Sequence, residues 1–241
     1  MTFLRSFLFN VAFFGATFLL ALYGAVLHLV APGRAIKLAE VWARLTMTLL
    51  RVLCGIRVQV IGRENLPRGA ALIASRHQSA FDTLIWLTLV PDCCYVLKKE
   101  LLRIPVIGQL MRDARMIAID RSKGAASLRA LVRDGEEAVR DDRQIIIFPE
   151  GTRAEPGALL PLQPGVAALA ARTGLPVIPV ITDSGRLWGR RAFHKRKGTI
   201  HIVILPPIPA GLKREDLMHR LRADLSRPLD MVPDEPGDNP R

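Results

Sequence analysis

Two textures divide this chain. Between Arg5 and Arg34 there is no Lys, Arg, Asp or Glu. The 24 residues Phe7–Val30 exceed the roughly 20 that an α-helix needs to cross a hydrocarbon core, although Asn10, Gly15, Thr17, Tyr23 and Gly24 interrupt the run. The stretch reads as a membrane anchor. A cleaved signal peptide would ask for a richer basic start and an A-x-A site, and neither is present. The next segment, Ala35–Leu53, has a helical pattern in which Lys37, Glu40, Arg44, Thr48 and Arg51 form one narrow polar stripe on an otherwise apolar cylinder. That shape suits a helix lying in a membrane interface, with a core helix as the alternative. Cations that begin at Arg34 place the main domain on the cytoplasmic side of an inner membrane.

After Gly55 short β-rich runs alternate with helical ones. The pattern predicts strands at 57–61, 70–75, 94–97, 115–119, 144–148, 177–181 and 199–205. It predicts helices at 79–89, 106–112, 125–140, 165–173 and 213–226. Such alternation implies an α/β fold with a mostly parallel central sheet flanked by helices. Gln144–Phe148 reads as a central buried strand. The expected organisation is anchoring helices over 1–54, a catalytic domain over 55–228 and a disordered tail over 229–241, where prolines and acids concentrate.

Composition sharpens this picture. Of 241 residues half are hydrophobic, and mean hydropathy is +0.23. That is more apolar surface than a soluble domain of this size needs, and it excludes an intrinsically disordered chain. A net charge of +12 points to a phosphate-bearing partner. Nucleic acid is set aside, because aromatics make up only 6% of the chain and no binding motif accompanies the charge. The three cysteines, Cys54, Cys93 and Cys94, form neither a disulfide framework nor a metal pair and read as reduced buried thiols. The five histidines lack ligand spacing, so no metal site is expected.

Chemistry belongs in the loops at strand ends. His77 leaves the strand at 70–75, and Asp82 follows five residues on. At that spacing the carboxylate can return to the imidazole Nδ1 and leave Nε2 free as a base. Spacing alone elects nothing, since His219 and Asp224 repeat it in a charged helix that reads as a solvated face. Ser79 sits where a helix N-cap belongs, and no G-x-S-x-G elbow surrounds it. Phe148–Arg153 combines a strand end, a glycine turn and a cation, a natural anion pocket in which Arg153 can grip a phosphate. Lys98 and Arg121 follow neighbouring strands and join the same rim. Arg186–Lys197 carries six cations and no acid, with Trp188 and Phe193 interleaved. It is expected to meet anionic headgroups or an acidic acyl carrier protein.

His77-x4-Asp82, the block from Lys98-Lys99-Glu100-Leu101 to Ile119-Asp120-Arg121, Phe148–Arg153 and Val177–Val180 occur in that order. They resemble the four motifs of the glycerolipid acyltransferases, in the bacterial 1-acylglycerol-3-phosphate O-acyltransferase branch, over roughly residues 57–205. Arg76 stands where that family often has Asn, Phe81 where Trp is common, and Gln163 where Lys is usual. The resemblance implies acyl transfer from a thioester to the 2-hydroxyl of lysophosphatidic acid, giving phosphatidic acid. His77 would be the base and Asp82 its orienting partner. Lys98, Arg121, Glu150, Gly151, Thr152 and Arg153 would make the substrate phosphate site, with Glu150 and Gly151 shaping it. Acyl-CoA or acyl carrier protein would be the donor, with no further cofactor, and membrane lipids the surroundings. Other acceptors used by relatives, a lyso-ornithine lipid or a lysophospholipid, stay open, as does a non-enzymatic membrane-anchored anion- or lipid-binding role.

Overall fold

The computed structural model describes residues 1–229, with Arg121 described by its backbone alone. The tail from residue 230 onward lies outside the described residues. Helix α1 (Thr2–Val30) and helix α2 (Ala35–Leu49) come first. A π turn at Leu50–Cys54 follows, and Gly55 closes it in the left-handed region at φ 68°. Then come β1 (Ile56–Ile61), β2 (Ala71–Ser75), α3 (Asp82–Leu89), β3 (Cys93–Lys98), α4 (Ile107–Asp113), β4 (Ile117–Ile119) and α5 (Gly124–Arg140). The chain continues through β5 (Gln144–Ile147), α6 (Gly165–Thr173), β6 (Val177–Thr182), the single turn α7 (Ser184–Leu187), β7 (Gly198–Ile204) and α8 (Arg214–Leu225).

The seven strands form one sheet in the order β1-β7-β6-β2-β5-β3-β4. Every neighbouring pair is parallel except β6–β7. Strands β6, β2, β5, β3 and β4 therefore run the same way and release their following loops along one edge. The central strands are apolar on both faces, as a doubly covered parallel sheet requires. Ile73, Ile146 and Ile178 face a core shared with α1–α3, while Leu72, Ile145 and Val177 face one shared with α5, α6 and α8.

All seven sequence-predicted strands are present. The fourth is shorter than expected, because Arg115 turns left-handed at φ 52° and its carbonyl accepts from the Arg143 guanidinium at 2.7 Å. The third helix starts three residues later than expected. Ser79 is not its cap: its hydroxyl accepts the Phe81 N–H within the preceding turn. The three cysteines are free and buried.

Helix α1 docks lengthwise. Ser6 Oγ accepts the Lys195 N–H, and the Trp42 indole donates to Thr17 Oγ1 at 2.9 Å. Gly24 admits Leu110 so closely that a Cβ would lie 2.6 Å from its Cδ1. His28 Nδ1 sits 2.7 Å from Asp113 Oδ2. The outward stripe, including Phe3, Phe7, Val11, Phe14, Phe18, Leu22, Val26 and Leu29, is exposed and entirely apolar. Helix α2 packs in part as a core helix. Ala43, Thr46 and the following Leu50 are buried against the core, while Val41, Leu45 and Val52 remain exposed. No gap in packing separates the N-terminal helices from the rest, since Phe9 and Ala43 share one cluster with Ile73 and Trp86.

Candidate active site

The sheet gathers the candidate residues. β2 pairs with β5 at Ala74–Ile147, β5 with β3 at Ile146–Tyr95, and β3 with β4 at Lys98–Ile119. The loop carrying His77, the loop carrying Arg153, Lys98 and the Asp120 turn thus leave neighbouring strands on one edge, where open α/β sheets bind ligands.

His77 is fixed from four sides. Its Nδ1 lies 3.2 Å from Asp82 Oδ2. Its ring stacks on Phe148 with centroids 4.1 Å apart and planes 19° from parallel. Its N–H donates to Glu150 Oε2 at 3.2 Å, and its carbonyl accepts the Ala154 N–H at 2.7 Å. Nδ1 is engaged, so Nε2 is the nitrogen left to act on a ligand. Asp82 stands in the first turn of α3, where the helix dipole favours an anion. The same Oδ2 accepts the Gln78 and Ser79 N–H groups at 2.6 and 2.8 Å, while Oδ1 is buried without a partner among the described residues.

Among the described residues there are two further histidine–aspartate contacts, His28–Asp113 and His201–Asp183. Of these three histidines, His77 is the one that lines the large cavity. The His219–Asp224 spacing gives no pair at all. Asp224 is held instead by Arg220 and Arg227, and its burial corrects the expectation of a solvated face.

That cavity has a volume of about 1160 Å³, above the roughly 300–1,000 Å³ typical of small-molecule sites. Its polar end carries His77, Lys98, Gly151, Thr152 and Arg153. Its apolar wall is built by Leu20 and Ala21 of α1, Leu38 and Trp42 of α2, and Ile107, Leu110 and Met111 of α4. Tyr95 closes one side, its hydroxyl donating to the Thr83 carbonyl at 2.8 Å. Burial pushes the Tyr95 phenol well above its ordinary range, so it stays neutral. Burial lowers the Arg153 guanidinium. The Asp82 charge pulls back, while the like charges of Arg190 and Arg191 add to the lowering.

The structure brings His77, Asp82, Lys98, Gly151, Thr152 and Arg153 together. Gly151 adopts φ 70°, which lets its N–H close a tight turn onto the Phe148 carbonyl at 2.9 Å. Glu150 takes a different place. It is buried behind the turn, accepting from the N–H groups of His77 and Leu160, with Arg76 Nη2 at 3.7 Å. It shapes the loop and does not line the cavity. Arg76 also donates to the carbonyls of Ala158 and Leu225. The Arg121 side chain lies outside the described residues. The cavity also includes residues that sequence reasoning did not assign to the site: Phe148, Tyr95, Arg190, Arg191 and the apolar helix faces. Phe148 carried a signal at the end of the buried β5 run, and Arg190 and Arg191 carried one in the acid-free basic segment, which sequence reasoning set against headgroups or a carrier protein.

A histidine paired with a buried carboxylate on the wall of a largely apolar cavity is an arrangement able to take a proton from an amphiphilic ligand. Comparison with known proteins gives the family. Residues 57–183 match the Acyltransferase family model, and the chain belongs to that family. Similar proteins include the 1-acyl-sn-glycerol-3-phosphate acyltransferase of Pseudomonas aeruginosa, 38% identical over 169 residues, which covers 70% of this chain and 66% of that one. The enzyme of the same name from Limnanthes alba is 34% identical over 185 residues, covering 76% and 66%. The chain thus spans 66% of the length of these relatives. Among solved structures, the 1-acyl-sn-glycerophosphate acyltransferase PlsC of Thermotoga maritima superposes with a TM-score of 0.75 at 24% identity, over 94% of this chain and 95% of that one. That likeness concerns the fold.

Proposed function

We propose that this protein transfers an acyl chain from an acyl thioester, carried by CoA or acyl carrier protein, to the 2-hydroxyl of 1-acyl-sn-glycerol 3-phosphate, forming phosphatidic acid. The observation that carries the reading is the shared wall of one cavity: the His77 base, the Lys98 and Arg153 cations, and an apolar lining deep enough for lipid chains. His77 Nε2 takes the hydroxyl proton as that oxygen attacks the thioester carbonyl. The carbon–sulfur bond then breaks, and the imidazolium returns the proton to the departing thiolate. Asp82 holds the ring in the required tautomer and stabilises the imidazolium. The acceptor oxygen is itself the nucleophile, so no acyl-enzyme is needed. Ser79 and the cysteines are buried and do not compete for that role. Arg153 and Lys98 hold the glycerol phosphate. Arg121 is the third cation assigned to that site from the sequence, and Glu150, Gly151 and Thr152 form the loop that presents Arg153.

Helix α1 is docked on the domain from Ser6 to His28, which leaves no free length to cross a core of about 30 Å. It lies along one leaflet with its apolar stripe in the lipid and the domain on the cytoplasmic side of the inner membrane. Acceptor and product then reach the cavity without exposing their chains to water, which would cost about 0.8 kcal/mol per CH₂.

The test is phosphatidate formation by detergent-purified protein given lysophosphatidate and either donor, with His77→Ala beside it. Product from wild type and none from the variant is expected. A variant that keeps more than about a tenth of wild-type turnover removes His77 from the role of base. Product only with another lyso-lipid replaces the acceptor.

A further inference from the structure

The segment between α7 and β7 is pegged to α1 at both ends. Trp188 is buried and meets Phe9 edge-on, with centroids 5.5 Å apart and planes at 82°. Seven residues on, Lys195 is only 3% exposed. Its ammonium donates to Asn10 Oδ1 at 2.6 Å and to the Phe193 carbonyl at 3.0 Å. The same ammonium lies 5.1 Å from the Trp188 ring centroid and 5.2 Å from that of Phe9. Between the pegs stand Arg190 and Arg191, the latter in the left-handed region at φ 56°. Both side chains are exposed, and both line the cavity that holds His77 and Arg153. Basic segments on a surface normally face outward to solvent or headgroups. Here the pegs turn two of the cations onto the substrate cavity.

The guanidiniums of Arg153, Arg190 and Arg191 therefore all line one cavity. The two loop arginines add to the lowering of the Arg153 guanidinium that burial begins. Among the described residues no carboxylate forms an ion pair with any of them. Asp82, the acid whose field reaches Arg153, is already committed to His77 and two backbone N–H groups. Like charges gathered without a counter-charge are costly unless an anion completes them. A phosphate monoester carries a charge of about −1.5 to −2 at pH 7 and three strong acceptor oxygens.

We infer that Arg190 and Arg191 are phosphate-binding residues of this site, closing over a phosphate group of the substrate opposite Arg153. The assignment rests on the acyltransferase reading above. It extends the site beyond residues 57–183, the portion matched by the family model. The phosphate belongs either to the lysophosphatidate headgroup or to the CoA portion of the donor, and the experiment separates them.

The variants are Arg190→Gln/Arg191→Gln and the charge-conserving Arg190→Lys/Arg191→Lys. Both change exposed side chains and leave the Trp188 and Lys195 pegs in place. Each substrate is varied at saturating levels of the other, with acyl-pantetheine, which lacks the phosphates of CoA, as a third donor. The glutamine pair is expected to raise KM about tenfold or more for one substrate while kcat changes less, because a charge-assisted hydrogen bond is worth about 1.5–3 kcal/mol. The lysine pair should recover part of that loss. A rise confined to lysophosphatidate assigns the headgroup. A rise for acyl-CoA that is absent for acyl-pantetheine assigns the donor. Unchanged KM values for both substrates overturn the inference. Calorimetric titration with glycerol 3-phosphate and with CoA gives a readout independent of turnover. If wild type binds one of them and the glutamine pair binds it about tenfold more weakly, the phosphate site stands even where the acyl-transfer reading fails. Equal binding by both proteins removes it.

Discussion

Asp82→Asn isolates the electrostatic half of the proposed catalytic pair. The asparagine oxygen can occupy the Oδ2 position, keep the N–H groups of Gln78 and Ser79, and still accept from His77 Nδ1. Its amide nitrogen then takes the place of Oδ1, the oxygen without a partner. Geometry and tautomer survive, and the negative charge is lost. At the observed 3.2 Å, full charges attract by about 5 kcal/mol at an effective dielectric of about 20. An imidazolium half-formed in the transition state retains roughly half of this, which corresponds to about a hundredfold in rate. The assay is kcat for phosphatidate formation with both substrates saturating, alongside thermal unfolding. Turnover should fall about a hundredfold with Tm nearly unchanged. An Asn variant within about threefold of wild type would show that Asp82 acts only as a structural brace, and the charge argument would fail.

Three other outcomes follow from features of the fold. Glu150→Ala leaves Arg76 buried with carbonyl partners alone; breaking such a pair costs about 3–5 kcal/mol, so Tm should fall by roughly 6 °C or more, and an unchanged melt would count against the brace. Burial raises Cys94 above the ordinary thiol value of 9.0 and raises Cys93 further. The unfolded chain therefore loses protons that the folded chain keeps, and stability falls as pH rises past 9. Each thiol contributes up to about 1.4 kcal/mol per pH unit, and denaturant titrations at pH 8 and 10 should show a smaller drop for Cys93→Ala/Cys94→Ala. Phe14→Glu/Phe18→Glu places two charges on the outward stripe of α1 and should abolish flotation with lipid vesicles while leaving the fold intact; retained flotation would move the membrane contact elsewhere.

The sheet was legible because its strands are runs of Ile and Val long enough to be buried on both faces, separated by helices with clear polar sides. The edge that carries the candidate site was legible for a related reason. Parallel strands release their loops on one side, so His77, Lys98 and Arg153 had to be neighbours once their strands were. The cavity wall was not. Leu20, Leu38, Trp42 and Leu110 face an internal space, while Phe18, Val41 and Leu45 face outward, and one stripe of apolar residues looks like another in sequence. Glu150 was legible as a shaper of the pocket but not as a residue set behind its wall, since nothing in Pro-Glu-Gly-Thr-Arg tells which side of the turn a carboxylate takes. The burial of Lys195 depends on contacts with Ser6 and Asn10, almost 190 positions away, beyond any local pattern.

The helices that the proposed reading sets against the bilayer are also walls of the cavity, since α1 and α2 supply Leu20, Ala21, Leu38 and Trp42 to it. Anchor and chamber cannot drift apart in evolution. On that reading, a change that shifts either helix to suit a different membrane also moves its cavity-lining face and redraws the space offered to substrates, so that adaptation to a lipid environment and choice of lipid are coupled through the same two helices.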